Sequence, residues 1–165
     1  MKRNIYLLSI ILLLLVQSCS TVNIASNKQQ GYNKQPKKIF IVVNCNKDVN
    51  IFCTGLVYGL TNKLTEKGVQ SDGYVRDPLS LESEEDRNKR INAYNPEAVL
   101  TVQQTLTGSG KGVFELTLID GESRKNVWKS ELEVSADSYT SLEDSGVIDK
   151  AVKTLVSKLA EDKII

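Results

Sequence analysis

The chain has no histidine. That absence excludes the Ser-His-Asp and Cys-His arrangements within this polypeptide, since both need an imidazole to take the nucleophile's proton. Long apolar runs are also missing. The longest, Ile5 to Val16, stops at Gln17, well short of the roughly 20 residues that cross a bilayer as a helix. Acids are absent before Asp48, whereas beyond Lys47 they outnumber Lys and Arg by 20 to 14. A body with that balance carries no basic stripe, which excludes nucleic acid as a partner. Three cysteines are too few for a disulfide-dense scaffold, and a domain of about 130 residues buries a core without such staples or a structural metal.

What is present begins at the amino terminus. Lys2 and Arg3 precede the apolar run, and Ser18 precedes Cys19. A positive start, an apolar core and a small residue before the cut make a secretory signal, and the cysteine after it gives the layout of a bacterial lipoprotein signal. Cleavage is expected before Cys19, with residues 1–18 as signal peptide and Cys19 as the lipidation site that ties the chain to a membrane. Residues 19–36, rich in Ser, Asn, Gln and Lys, have too few apolar side chains to offset the entropy of ordering. They read as a flexible tether with a reach of about 23 Å. Its lysines, Lys28 and Lys34, continue into Lys37, Lys38 and Lys47 as a basic stem on an acidic body, read as a solvated spacer. Residues 37–165 form a single domain.

Within that domain Ile39-Phe40-Ile41-Val42-Val43 is a run expected of a strand buried on both faces. Asp48 or Asn50 then starts a helix to about Lys67, stopped by Gly68, with Cys53, Leu56, Val57, Leu60 and Leu64 on one stripe. Gly55 and Gly59 lie beside the stripe and are expected to let the helix approach the sheet closely. A short edge strand over 69–75 follows, then a charged helix from Ser83 to Tyr94, opened by a capping box completed by Asp86. The remainder reads as three antiparallel strands from Ala98, Val113 and Asn126, and a closing helix with Ile148, Ala151, Val152, Leu155 and Leu159 on its apolar side. The helical link makes the strands at Ile39 and Ala98 parallel. The expected fold is an α/β (α+β) two-layer sandwich with a mixed sheet of four to five strands and helices mainly on one face.

Cys45 falls at a strand end and Cys53 in the first helical turn. They form either a disulfide, as an oxidising compartment allows, or two buried thiols. Gly108-Ser109-Gly110-Lys111-Gly112 lacks the spacing of a phosphate loop and joins two strands, so it reads as a hairpin turn. Glu82, Glu84, Glu85 and Asp86 lack the looped spacing of a calcium site and suit the start of a helix. Trp128 shares parity with Leu132 and Val134 and is expected in the core. Arg124 and Lys125 sit at an exposed turn. No cofactor-binding or catalytic motif emerges.

The segment Ala98-Val99-Leu100-Thr101-Val102, a glycine-rich hairpin, Phe114-Glu115-Leu116-Thr117-Leu118-Ile119-Asp120 and Val127-Trp128-Lys129 resembles one found in bacterial envelope lipoproteins. It occurs in DUF4136-type proteins and in the domains of LpoB, CsgG and the amino-terminal part of TolB. Here Ser123-Arg124-Lys125 stands where that segment has Thr-Gly-Lys. The resemblance implies a non-catalytic binding or assembly module of the cell envelope, with an envelope protein or glycan as partner. Ser20 replaces the aspartate that retains such proteins at the inner membrane, which implies the outer membrane, facing the periplasm. A small-ligand carrier or histidine-free hydrolase, and a subunit of an envelope transport or secretion complex, are the alternative expectations.

Overall fold

The structure is a computed structural model that describes residues 20–77, 79–108 and 110–165. The signal peptide and Cys19 lie outside the described residues. The strands are β1 (Thr21–Lys28), β2 (Lys38–Asn44), β3 (Gln70–Arg76), β4 (Ala98–Gly108), β5 (Lys111–Asp120) and β6 (Asn126–Ser135). The helices are α1 (Asn50–Glu66), α2 (Glu84–Tyr94) and α3 (Ser145–Glu161). One mixed sheet takes all six strands in the order β1-β6-β5-β4-β2-β3, with β2 parallel to both β3 and β4 and the other pairs antiparallel.

The β2 run is buried on both faces, as its composition requires. Ile39, Ile41 and Val43 enter the large core beneath α1 and α3, while Phe40 and Val42 join Val99 in a smaller one, where Ile91 and Tyr94 of α2 cover them. Two helices therefore lie on one face and one on the other. Phe52 of α1 stacks on Phe114 of β5 with ring centroids 5.0 Å apart, tying helix to sheet at the centre of the large core. Ser83 caps α2 by accepting the Asp86 N–H at 3.1 Å.

Two expectations change. The stretch read as a flexible tether supplies a sixth strand: β1 pairs with β6 from Thr21 opposite Ser135 to Lys28 opposite Trp128. Its two largest apolar side chains, Val22 and Ile24, fall at alternate positions and pack against the large core. That burial, together with the ladder on the side of β6 away from β5, offsets the ordering entropy. Residues 29–36 then cross the sheet as a strap, with Pro36 buried. The second change concerns Gly55 and Gly59, whose close neighbour is a helix. A Cβ at Gly59 would come within 2.7 Å of Val152 Cγ2, and one at Gly55 within 3.0 Å of Ile148, so the glycines let α1 cross α3 closely.

With β2 upright, β3, β4 and β6 also run upward while β1 and β5 run downward. The upper end of the sheet thus gathers Thr21, Asn44, Arg76, the β4–β5 hairpin and Ser135. Lys28, Lys38, Ala98, Asp120 and Asn126 lie at the lower end.

Candidate functional site

The registers put one side-chain set of every strand on the face away from α1 and α3. On that face α2 covers only the β3, β2 and β4 side. From β4 to β1 the surface is open and polar: Gln103, Glu115 and Glu131 stand in one row and Glu133 and Asn23 in the next, with Lys129 and Asn27 below. Lys129 Nζ reaches Glu115 at 2.9 Å and Lys111 Nζ reaches Glu133 at 3.7 Å. Glu131 lies directly opposite Glu115 and has no ion pair among the described residues. Like charges across a ladder cost stability, so folding alone does not favour this pair.

Where α2 meets the open face, a groove of about 580 Å³ opens. Val42, Val99, Ile91 and Ile119 line it with branched aliphatic surface, and Asn44, Asn88, Asn92 and Gln103 add amides. Among the described residues its only charged lining residues are Arg87 and Arg124. Arg87 Nη2 bonds Glu84 at 2.6 Å. The guanidinium of Arg124 has no hydrogen bond or ion pair among the described residues, and its backbone holds φ at 57°. That left-handed conformation suits glycine and costs a larger residue about 1 kcal/mol. The chain therefore places an arginine beside the groove at a position where glycine would be easier. The buried Oδ1 of Asn44 accepts no hydrogen bond from the described residues, leaving an acceptor unsatisfied on the groove lining.

Two carboxylates that could be mistaken for reactive groups have structural partners. Asp120, 3% exposed, accepts the Ser123 N–H at 2.8 Å and pairs with Lys34 at 3.1 Å. The bond from Ser123 and the ammonium of Lys34 outweigh burial and hold its carboxyl below the usual range. Lys34 belongs to the strap, so Asp120 pins the strap to the β5–β6 turn. Burial pushes the Asp162 carboxyl up, but hydrogen bonds from Ser26, Trp128 and Lys158 more than offset that and leave it lowered. Trp128 Nε1 donates to it at 2.7 Å and Lys158 Nζ approaches at 3.0 Å. Trp128 is 1% exposed, in the core as its parity requires, with its one polar atom tied to the end of α3.

Cys45 and Cys53 are joined in the structure by a disulfide, with Cα atoms 6.6 Å apart. The bridge closes the turn between β2 and α1, where Asn46 N also donates to Gln104 Oε1 at 2.8 Å. Glu82, Glu84, Glu85 and Asp86 face cations of their own neighbourhood: Arg90 at 2.7 Å from Glu82, Arg87 at 2.6 Å from Glu84 and Lys89 at 2.9 Å from Glu85. Among the described residues no three His, Cys, Asp or Glu side chains group as metal ligands. Tyr74 joins Phe40 and Tyr94 in an aromatic cluster under α2, whereas Tyr139 is exposed. The groove escaped sequence reasoning because its residues come from separate elements; the only local signal was arginine where the related turn has glycine.

No protein-family model and no curated protein sequence matches the chain. Among solved structures, the PelC dodecamer from Paraburkholderia phytofirmans is similar at 15% identity and a TM-score of 0.53, covering 84% of this chain and 97% of that one. A point variant of the same PelC dodecamer is similar at 16% identity and 0.52, covering 84% and 98%. A DUF330 protein from Xanthomonas campestris aligns with a TM-score of 0.41 at 6% identity, over 86% and 89% of the two chains. The chain thus shares its α/β fold with the PelC structures at low sequence identity.

Proposed function

We propose that the chain is a lipid-anchored, non-catalytic binding or assembly module of the bacterial envelope, held by acylated Cys19 at the outer membrane and facing the periplasm. The observation that carries this reading is the open face with its groove. The sheet has its large core on one side and, beyond the strip that α2 covers, an open polar platform on the other. Among the described residues the groove lining has two arginines and no acid, with Arg87 paired to Glu84 and Arg124 carrying no ion pair, on a body whose acids exceed its bases beyond Lys47. That contrast favours an anionic partner, a carboxylate- or phosphate-bearing envelope protein or glycan, approaching by charge complementarity.

The strand β1 alters how the module is held. Ser20 alone separates Cys19 from Thr21, so an acylated Cys19 keeps the domain against the headgroups, without a long tether. Labelling cells with radioactive palmitate tests the anchor: wild type should carry label and sediment with the outer membrane. Label persisting in Cys19→Ala would refute the assignment. Chemical crosslinking in intact cells tests the binding role, and recovery of no envelope protein or glycan adduct would count against it.

A second reading is favoured by the two sheet edges. The outer sides of β1 and β3 have no strand partner among the described residues, and unpaired edges are templates for association. The similar PelC structure is a dodecamer, so a self-assembling subunit of an envelope complex is the competing proposal. Light scattering of the purified chain separates the two, since this second reading requires a defined oligomer without any partner.

A further inference from the structure

Exposed large apolar side chains are unevenly distributed. Ile51, Leu79, Leu81, Leu106 and Tyr139 are 58%, 69%, 101%, 53% and 92% exposed, and they come from four separate connections. Ile51 starts α1 just after β2 ends. Leu79 and Leu81 follow β3, Leu106 lies near the end of β4, and Tyr139 lies between β6 and α3. Because β2, β3, β4 and β6 all run upward, all five side chains belong to the upper end. The turns of the lower end expose no large apolar side chain among the described residues. Tyr58, on the side of α1, is the remaining exposed one.

The chain also leaves the described structure at the upper end. Thr21 pairs with Ser135 at the top of β6, and the carbonyl of Ser20 accepts a hydrogen bond from Lys150 in the first turns of α3. Cys19 directly precedes Ser20 in the sequence. The geometry points to the upper end as a lipid-contacting surface: its four apolar connections seat in the headgroup region of the bilayer that holds the Cys19 anchor. This rests on the lipid-anchor reading and adds an orientation to it, strands along the membrane normal and open face presented sideways.

Hydrophobic burial, not charge, drives this contact. Lys47, Arg76 and Lys111 share the upper end with Asp48, Asp77, Asp137, Glu143 and Asp144, so anionic lipid has no clear advantage. Apolar and aromatic side chains carried on otherwise polar loops partition into the boundary between headgroups and acyl chains. The contact should therefore form on zwitterionic vesicles and survive high salt.

Tryptophan is a suitable probe because native Trp128 is 1% exposed and shielded from a lipid quencher. The full chain as processed by cells, carrying Leu81→Trp, Leu106→Trp or Tyr139→Trp, is placed in phosphatidylcholine vesicles containing lipid brominated near the headgroup. Emission should fall about two-fold or more relative to unbrominated vesicles, while Glu122→Trp at the lower end should not change. Mass spectrometry of the same samples reports lipid on Cys19. Lipid on Cys19 without selective quenching, or equal quenching at both ends, overturns the orientation and leaves the anchor standing. Selective quenching with no lipid on Cys19 supports the orientation and refutes the anchor. Blue-shifted emission from these tryptophans before vesicles are added would mean that a second copy of the chain covers them, and overturns the lipid assignment.

Discussion

The two faces of the sheet answer different demands. Beneath α1 and α3, Trp128, Leu132, Val134, Leu116 and Leu100 are at most 1% exposed. On the other face Glu131 opposes Glu115 across a ladder and Arg124 holds a left-handed backbone, while unpartnered buried polar atoms fall on both faces, Asn44 Oδ1 here and Ser130 Oγ on the dry one. Each of these carries a local cost; Lys129 offsets the charge of Glu115, while Glu131 has no ion pair among the described residues. The difference teaches where to seek function, because local costs on an otherwise well-packed domain collect where something else is recognised.

Substitutions sharpen the contrast. The largest effect belongs to Trp128→Ala, which opens a cavity and removes the indole donor to Asp162. Urea denaturation should show a loss of about 3–5 kcal/mol. Trp128→Phe keeps most of the volume and should lose less, near the value of one hydrogen bond to a charged group, about 1.5–3 kcal/mol. If both variants unfold like wild type, the dry face does not carry the stability assigned to it.

Next is the bridge beside the dry face. Cys45 and Cys53 are eight residues apart, and closing so short a loop stabilises by about 2.5 kcal/mol. Cys45→Ala with Cys53→Ala should lower the urea midpoint accordingly, and reductant should have the same effect on wild type and none on the double variant. Rapid thiol labelling of the native protein without reductant would contradict the bridge.

A pH profile gives a smaller effect. The Asp162 carboxyl is held lower folded than unfolded, so its contribution is complete above the unfolded value, about 3.9. It is lost as pH falls through the lower folded value. Thermal melts between neutral pH and strong acid should show wild type losing stability faster than Asp162→Asn over that window. Parallel curves would remove Asp162 from the account. Asp120 titrates in both proteins and cancels in the difference.

The smallest effect is the most informative about the wet face. Glu131→Lys replaces a like-charge neighbour of Glu115 with an opposite one and should stabilise by about 0.2–1 kcal/mol. Arg124→Gly relieves the left-handed residue and should be neutral or stabilising, by up to about 1 kcal/mol. Destabilisation by either, read from the urea midpoint, would mean that these residues serve folding after all.

The dry face was legible in the sequence because its signals are local and periodic. The continuous run at β2, the stripe of α1, the alternation in β5 and β6 and the parity of Trp128 each follow from one element's spacing. The strand β1 was not legible, since Val22 and Ile24 stand among polar residues and their partner ladder lies more than 100 residues away. The partner of Trp128 was hidden for the same reason, as Asp162 is at the far end of the last helix. On the wet face, Arg87 and Arg124 come to line one groove only through the order of strands, and the clustering of apolar loops at one end depends on the direction of every strand.

Placing a photo-crosslinking amino acid in living cells tests the central claim, that the open face is the recognition surface. With the probe replacing Gln103 or Glu131, illumination should yield a discrete adduct with an envelope component. The same probe replacing Lys153, on the exposed side of α3, should yield none. Adducts from position 153 with none from the open face would contradict the account.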